Sequence, residues 1–379
     1  MALFAALLWQ YTIAESRFAG NWTGLFYSGD AWKLPPELKG STFQHPASLG
    51  YDGQFYRLCA HDPFDHKRYS EFMDSASYRR KRALIPLLAW GLALGQSRWI
   101  DFTYIFLING FVFLGAWMLA ELARTWSLHP ALGLAFLIFP ATLNGIDRMI
   151  PDLPLGAAML GFVLYRKERT AVAWCCLAAA VLSRELGLLI VAAAVGQSLW
   201  ERRWRIAAFW ATSILPAILW WEACTRLFSA GSKPPTLHWL ARMPVYGFFV
   251  RLGDPIAYDT YPWLRPVFQA ADAAIMLALP AAAGMAVWLW WQNRQGDLEW
   301  QSLTAAGLIV VASHPYFLRD DFSYPRTYSL LVGPLFLLAL RTGQWWWAVP
   351  CALLAFRLLL GFAMELGPLA RAVVSLFSA

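Results

Sequence analysis

Four stretches of this chain, residues 102–120, 128–146, 273–291 and 301–318, run for 18 or 19 residues without one Asp, Glu, Lys or Arg. A helix needs about 20 predominantly apolar residues to cross a bilayer. Hydrocarbon offers the backbone no water, so only helices and closed barrels can span it. Residues 206–221 form a slightly shorter run, and 153–165, 170–183, 186–200, 327–340 and 342–356 are shorter apolar runs bounded by charge. With residues 1–14 as a first span, the chain reads as an all-α integral membrane protein of about 11 transmembrane helices. Its 59% hydrophobic and 15% charged residues stand against about 45–50% and about 25% in soluble proteins. That balance excludes an ordinary soluble enzyme, and it excludes intrinsic disorder, which needs low hydrophobicity and high charge.

Orientation follows from basic residues in the short loops. Arg166-Lys167-Glu168-Arg169, Arg202-Arg203-Trp204-Arg205, Arg294 and Arg341 fall at alternate boundaries, and the positive-inside rule assigns them to the cytoplasm. Arg124 joins them, while Pro151 and Ser183-Arg184-Glu185 fall outside. The apolar residues 83–94 are too few to span and follow Arg79-Arg80-Lys81-Arg82. They read as an interfacial helix on the outer leaflet. The N-terminus lies inside and lacks the basic region of a signal peptide. The chain is then a single polytopic domain, residues 1–379. A large first outer loop covers about residues 15–100, and a second, rich in Pro and aromatics, about 225–267. The compact size and the absence of retention motifs fit a bacterial inner membrane, with the outer loops facing the periplasm.

The net charge of +7 suggests nucleic acid at first. Its basic residues sit in short clusters between apolar runs, which fits topology and lipid phosphates instead. The five Cys form no metal or redox spacing and read as packing residues. No Walker loop, GxGxxG, GxSxG or HExxH is present.

Chemistry concentrates in the first outer loop. Gly50-Tyr51-Asp52-Gly53-Gln54-Phe55-Tyr56 is followed by His61-Asp62-Pro63-Phe64. Asp-Gly is a turn signal, and the residues after it are helix-like, carrying Phe55, Tyr56 and Leu58 towards the membrane surface. Spacing alone leaves Asp52 either a helix N-cap or a carboxylate presented to a ligand. These motifs, with Tyr78-Arg79-Arg80-Lys81-Arg82-Ala83-Leu84-Ile85-Pro86, resemble bacterial glycosyltransferases of the GT-C superfamily. That group includes protein O-mannosyltransferases, aminoarabinose transferases and anchor-lipid mannosyltransferases. The resemblance covers the first loop well and the rest as a span pattern. It departs from the common Asp-Asp or Glu-x-Asp signature, since Asp52 stands alone with Asp62 ten residues on. It implies an inverting transfer from a polyprenyl-phosphate sugar to a glycan, lipid or protein acceptor, with Asp52 as the catalytic base and a juxtamembrane helix behind it.

Such a transfer needs a carboxylate to take the acceptor's proton and cations to hold the leaving phosphate. The candidate substrate-binding residues of the first loop are Tyr51, Gln54, Tyr56, His61, Asp62, Arg79 and Arg82. The run Arg79–Arg82 reads most simply as a lipid-headgroup patch, with Arg82 reaching the donor. Later outer turns add Arg148, Asp152, Arg184, Glu185 and Arg326. Asp152 serves equally as a helix N-cap, and Arg326 as a membrane anchor. Arg357, inside the last span, requires a partner that the sequence does not name. No cofactor is required; a divalent metal on His61, Asp62, Asp65 and His66 is the alternative. A flippase or transporter of a lipid-linked saccharide is the second functional reading. It would place charges near the bilayer midplane and often shows repeats. A non-catalytic scaffold is the third.

Overall fold

The computed structural model describes residues 1–228, 243–258 and 262–362. Among them the architecture is almost wholly helical. The chain opens with α1 (Ala2–Phe18) and enters a long excursion holding α2 (Pro36–Lys39), α3 (Gly53–His61), α4 (Ala76–Arg80) and α5 (Leu84–Leu92). Two strands of two residues, β1 (Ser28–Gly29) and β2 (Gln44–His45), pair in parallel within it. The bundle proper continues with α6 (Ser97–Thr125), α7 (Pro140–Arg148), α8 (Asp152–Tyr165), α9 (Thr170–Ser183) and α10 (Gly187–Trp200). Then come α11 (Trp204–Ala211), α12 (Leu215–Phe228), α13 (Tyr246–Gly253), α14 (Arg265–Gln292), α15 (Asp297–Val311) and α16 (Ser323–Thr342). A last helix, α17 (Trp345–Phe362), follows. Of the second outer loop, residues 229–242 and 259–261, with Pro234-Pro235 and Tyr261, lie outside the described residues.

Among the described residues, four helical stretches are long and apolar enough to cross a membrane: Ser97–Thr125, Trp204–Phe228, Pro262–Gln292 and Trp345–Phe362. A bent pair, Pro130–Ile138 with Pro140–Arg148, would make a fifth. The expected count of about eleven exceeds this because α1 has 17 residues, α8, α9 and α10 have 14 each and α15 has 15, while α16 is long enough but not apolar enough. At 1.5 Å per residue a helix the length of α8 is roughly 21 Å long, short of the ~30 Å hydrocarbon core.

Two expected spans are also reshaped by proline. Residues 128–146 are not one straight helix; they bend by 64°. Phe139 precedes Pro140 and is extended, at φ −62° and ψ 133°, because a residue before proline is pushed out of the helical region. Residues 301–318 are cut short, since α15 stops at Val311. Ser313 then accepts a hydrogen bond on Oγ from the Val245 backbone N–H at 3.1 Å, and Pro315 blocks helix in the residue before it.

The helix α3 also departs from expectation. All nine of its residues are buried in protein, so Phe55, Tyr56 and Leu58 do not lie on a lipid surface. Phe55 and Leu58 pack with Leu38, Tyr69 and Met73, while Tyr56 joins the main core. The opposite side of α3 is pinned to α6. Arg57 donates two bonds of 2.7 Å to Asp101, and His61 Nε2 lies 2.9 Å from the same carboxylate. Arg357 finds its partners too: Asp272 of α14 at 2.7 Å and Asp321 at 2.5 Å. This buried network ties α17 to α14 and to the turn before α16.

Glycine permits the approach that places Asp52. Gly50 has φ +70°, a region costly for other residues. A Cβ on Gly53 would collide with the Arg148 carbonyl oxygen at the end of α7. Gly53→Ala should therefore push α3 off α7 and cost about 1–3 kcal/mol of stability. A thermal unfolding midpoint equal to that of the unaltered protein would contradict this close contact.

Candidate functional site

Each element brings one piece to a single cavity of ≈ 290 Å³. Asp52 enters at the start of α3. Asp74, Tyr78, Arg79 and Arg82 come from α4 and its flanks. Arg184 and Glu185 come from the turn between α9 and α10, and Ser323, Arg326 and Thr327 from the first turn of α16. The α9 C-terminus and the α10 and α16 N-termini therefore meet at one end of the bundle.

Asp52 occupies the N-cap position of α3, but its side chain caps nothing. Its Oδ1 lies 2.8 Å from Arg79 Nη1, and its Oδ2 lies 2.6 Å from Arg326 Nη2. Burial pushes this carboxyl up, but Arg79, Arg326 and Arg82 outweigh it and hold the group well below the usual carboxylate range. Arg79 is itself fixed by Asp74, through Nε at 3.0 Å and Nη2 at 2.6 Å. Arg82 grips Glu185 with Nε at 3.0 Å and Nη2 at 2.7 Å, and it also donates to the Tyr56 and Tyr78 hydroxyls. Burial would raise Glu185, yet Arg82 and then Arg184 bring it down to about 2. Burial also takes the Tyr78 hydroxyl up to about 12.

The expected headgroup patch is thus absent. Arg79, Arg80 and Arg82 are buried, and Arg80 is paired with Asp65 at 2.8 Å. Three guanidinium groups in four residues require acidic partners once they leave water, and the fold supplies Asp74 and Asp65 from the preceding loop, Asp52 from the start of α3 and Glu185 from the turn between α9 and α10.

Asp152 is the first residue of α8 and sits one layer behind the cavity. It is not the N-cap; its carboxylate pairs with Arg184 and stands 3.7 Å from Arg326 Nη1. Arg184 also donates to Thr327 Oγ1 at 3.1 Å. Adjacent Arg184 and Glu185 barely meet, at 3.9 Å, as expected of sequence neighbours. Burial first, then Arg82 and Arg326, lower Arg184 to about 10, so it stays cationic at neutral pH.

Several expected site residues are not on the cavity wall. Tyr51 and Arg148 form a stack behind Asp52: the Arg148 guanidinium lies 4.8 Å from the Tyr51 ring centroid and 3.5 Å from that of Phe322. Tyr56 stands behind Arg79 and Arg82. Gln54 braces the Gly50 turn, accepting from the Gly29 N–H at 3.1 Å and donating to the Leu49 carbonyl at 2.9 Å. His61 pins α6. Asp62 accepts from the Lys67 and Tyr69 backbone N–H groups at 2.9 and 3.3 Å. With Asp65 held by Arg80 as well, three of the four residues considered for a metal are engaged elsewhere, and no group of three or more metal-ligating side chains occurs among the described residues.

Sequence reasoning missed Asp74 and Thr327 as cavity residues. Asp74 carries a signal in retrospect, since it lies five residues before Arg79 on the far side of a Ser N-cap position. Thr327 lies one residue past Arg326 and offers none.

Removing the Glu185 charge tests the wall. A carboxyl depressed to about 2 contributes stability above its unfolded pKa of about 4.5 and loses it as pH falls towards 2. Thermal midpoints of the solubilised protein should drop across that window, and Glu185→Gln should flatten the slope. An unchanged slope would mean that Glu185 is not ion-paired.

No protein-family model, curated protein or solved structure matches this chain, so a functional reading rests on the chemistry of the cavity and on the motifs of the first loop.

Proposed function

We propose that this chain is a membrane-embedded glycosyltransferase of GT-C type. It would take a sugar from a polyprenyl-phosphate donor and pass it to a glycan, lipid or protein acceptor. The observation that carries this reading is Asp52 beside four buried or nearly buried guanidinium groups, Arg79, Arg82, Arg184 and Arg326, on one cavity. A lipid phosphate needs that many donors at a headgroup-level site, and an acceptor hydroxyl needs one carboxylate. An apolar groove of ≈ 450 Å³, lined in part by Trp9, Leu137, Ile146, Phe356 and Phe362, offers a course for the prenyl chain. The Phe362 ring lies 5.9 Å from that of Phe322, which underlies Arg148.

In the proposed step the acceptor oxygen bonds to the anomeric carbon from the face opposite the phosphate. The bond from that carbon to the phosphate oxygen breaks, and its electron pair leaves with the polyprenyl phosphate. The acceptor proton passes to Asp52. The guanidinium groups stabilise the charge that develops on the leaving phosphate. No metal takes part in this scheme.

The proposed setting is a bacterial inner membrane with eleven crossings and the cavity facing the periplasm. The order of helix ends supports it: the cavity is at the end opposite Arg166, Arg202, Arg294 and Arg341. In a cysteine-free background, a membrane-impermeant thiol reagent should label Cys placed at position 320 from outside and at position 167 only after permeabilisation. The reverse pattern would invert the orientation.

Purified protein given labelled polyprenyl-phosphate sugars should transfer them, and Asp52→Asn should slow transfer by about 10²–10⁴-fold. Undiminished transfer by the variant would remove Asp52 as the base. No transfer from any donor, together with movement of lipid-linked sugar across vesicles, would favour a flippase.

A further inference from the structure

The cavity wall carries four guanidinium groups, Arg79, Arg82, Arg184 and Arg326, and four carboxylates, Asp52, Asp74, Glu185 and Asp320. Its formal charge cancels. An anion that enters can gain a cation only by taking one from a carboxylate. The arginines differ in how firmly they are held. Arg79 uses all three nitrogens, on Asp74, Asp52 and Tyr56. Arg82 does the same on Glu185, Tyr56 and Tyr78. Arg326 does not. Its Nη2 donates to Asp52 at 2.6 Å and to Ser323 at 3.4 Å. Its Nε and Nη1 have no hydrogen-bond acceptor among the described residues although the side chain is buried. Nη1 faces Asp152 Oδ2 at 3.7 Å, and that oxygen has no hydrogen-bond donor among the described residues either. Unfilled buried donors on a charged group are costly, so an acceptor that satisfies them is strongly favoured.

We propose that Arg326 is an exchangeable latch on Asp52: a bound phosphate mono- or diester draws Arg326 off Asp52 Oδ2, while Arg79 keeps its hold on Oδ1. The inference rests on the phosphate-binding part of the function proposed above. Closed, the latch leaves both oxygens of Asp52 occupied, and the carboxylate is a poor proton acceptor. Open, Oδ2 is free and more basic, with Oδ1 still fixing its position. The base is then unmasked only when the leaving group is in place. Arg326 acts here as a positioning residue for Asp52 as well as a phosphate ligand. The other charged and titratable groups around Asp52 stay where they are: Arg79 and Arg82 on the α4 side, the Tyr56 hydroxyl on α3, and Asp152 with Arg184 behind Arg326. Asp74 remains bound to Arg79. Asp320 remains at the α16 N-terminus, accepting from the Phe322 and Ser323 backbone N–H groups at 3.0 and 3.1 Å.

The latch makes Asp52 a competitor of the phosphate for Arg326, and this sets the test. Full-length protein in nanodiscs of zwitterionic lipid is titrated with a long-chain polyprenyl monophosphate, and separately with inorganic phosphate. Tryptophan fluorescence reads binding, and thermal unfolding checks that each variant is folded. Asp52→Asn should tighten polyprenyl phosphate binding by about ten-fold, against about two-fold for the control Asp74→Asn, which removes the same charge from the same cavity. The tightening should vanish in the Asp52→Asn/Arg326→Lys double variant. Equal tightening by the two Asn variants, or none by Asp52→Asn, overturns the latch. Should Asp52→Asn not fold, Arg326→Lys against Arg79→Lys decides: the first should weaken binding by about ten-fold and the second by about two-fold, and equal losses overturn the proposal. Competition by inorganic phosphate alone at similar concentrations would identify a free anion rather than a lipid headgroup as the occupant. No binding of either probe to the unaltered protein would withdraw the phosphate reading itself, and the latch with it.

Discussion

The pairing of Asp52 with Arg79 and Arg326 joins parts of the chain that lie 274 residues apart. Much of the described structure at that end of the bundle serves this contact. Three guanidinium groups in the segment around α4 have left water, and each must meet a carboxylate or pay for burial alone. Asp74 and Asp52 answer Arg79, Asp65 answers Arg80, and Glu185 answers Arg82. The last of these comes from the turn between α9 and α10. The excursion between α1 and α6 is thereby tied to the bundle by charge as well as by the apolar packing of α3.

The same economy of charge shapes the rest of the molecule. Arg357 and Asp272 lie in apolar helices and are matched to each other and to Asp321. At the opposite end, Arg341 is 2.6 Å from Glu299 and Arg294 lies 4.1 Å from the centroid of the Trp291 ring. A chain with only 15% charged residues thus uses them in two layers. One layer of cations marks the helix ends away from the cavity. The other is a neutral, densely paired wall in which one arginine is held more loosely than the rest.

Much of this was legible in the residues. Charge-free runs located most of the helices, because hydrocarbon admits no unpaired backbone or charge. The Asp-Gly junction marked the start of α3, and the apolar residues after Arg82 do form a short helix, α5. The two bends were less visible. Pro140 and Pro315 sit inside apolar runs that look continuous to any count of charges, yet each forces its preceding residue out of the helical region. Arg79–Arg82 misled most. A basic cluster beside an apolar stretch looks like a headgroup patch, and only its carboxylate partners, Asp52, Asp65 and Asp74 in the first excursion and Glu185 between α9 and α10, turn it inward.

By itself the sequence determined that the chain is helical, apolar and suited to a membrane, because those properties follow from local composition and period. It also picked out Asp52, Arg184 and Arg326 as charges that need a reason. Only the tertiary structure decided which charges share a cavity. Gln54, His61 and Asp62 sit within ten residues of Asp52 and brace the scaffold, while Asp74, Glu185 and Thr327 reach the same cavity as Asp52 from three separate segments. Electrostatic partnership depends on distances of a few ångströms in space, and spacing along a chain does not encode them.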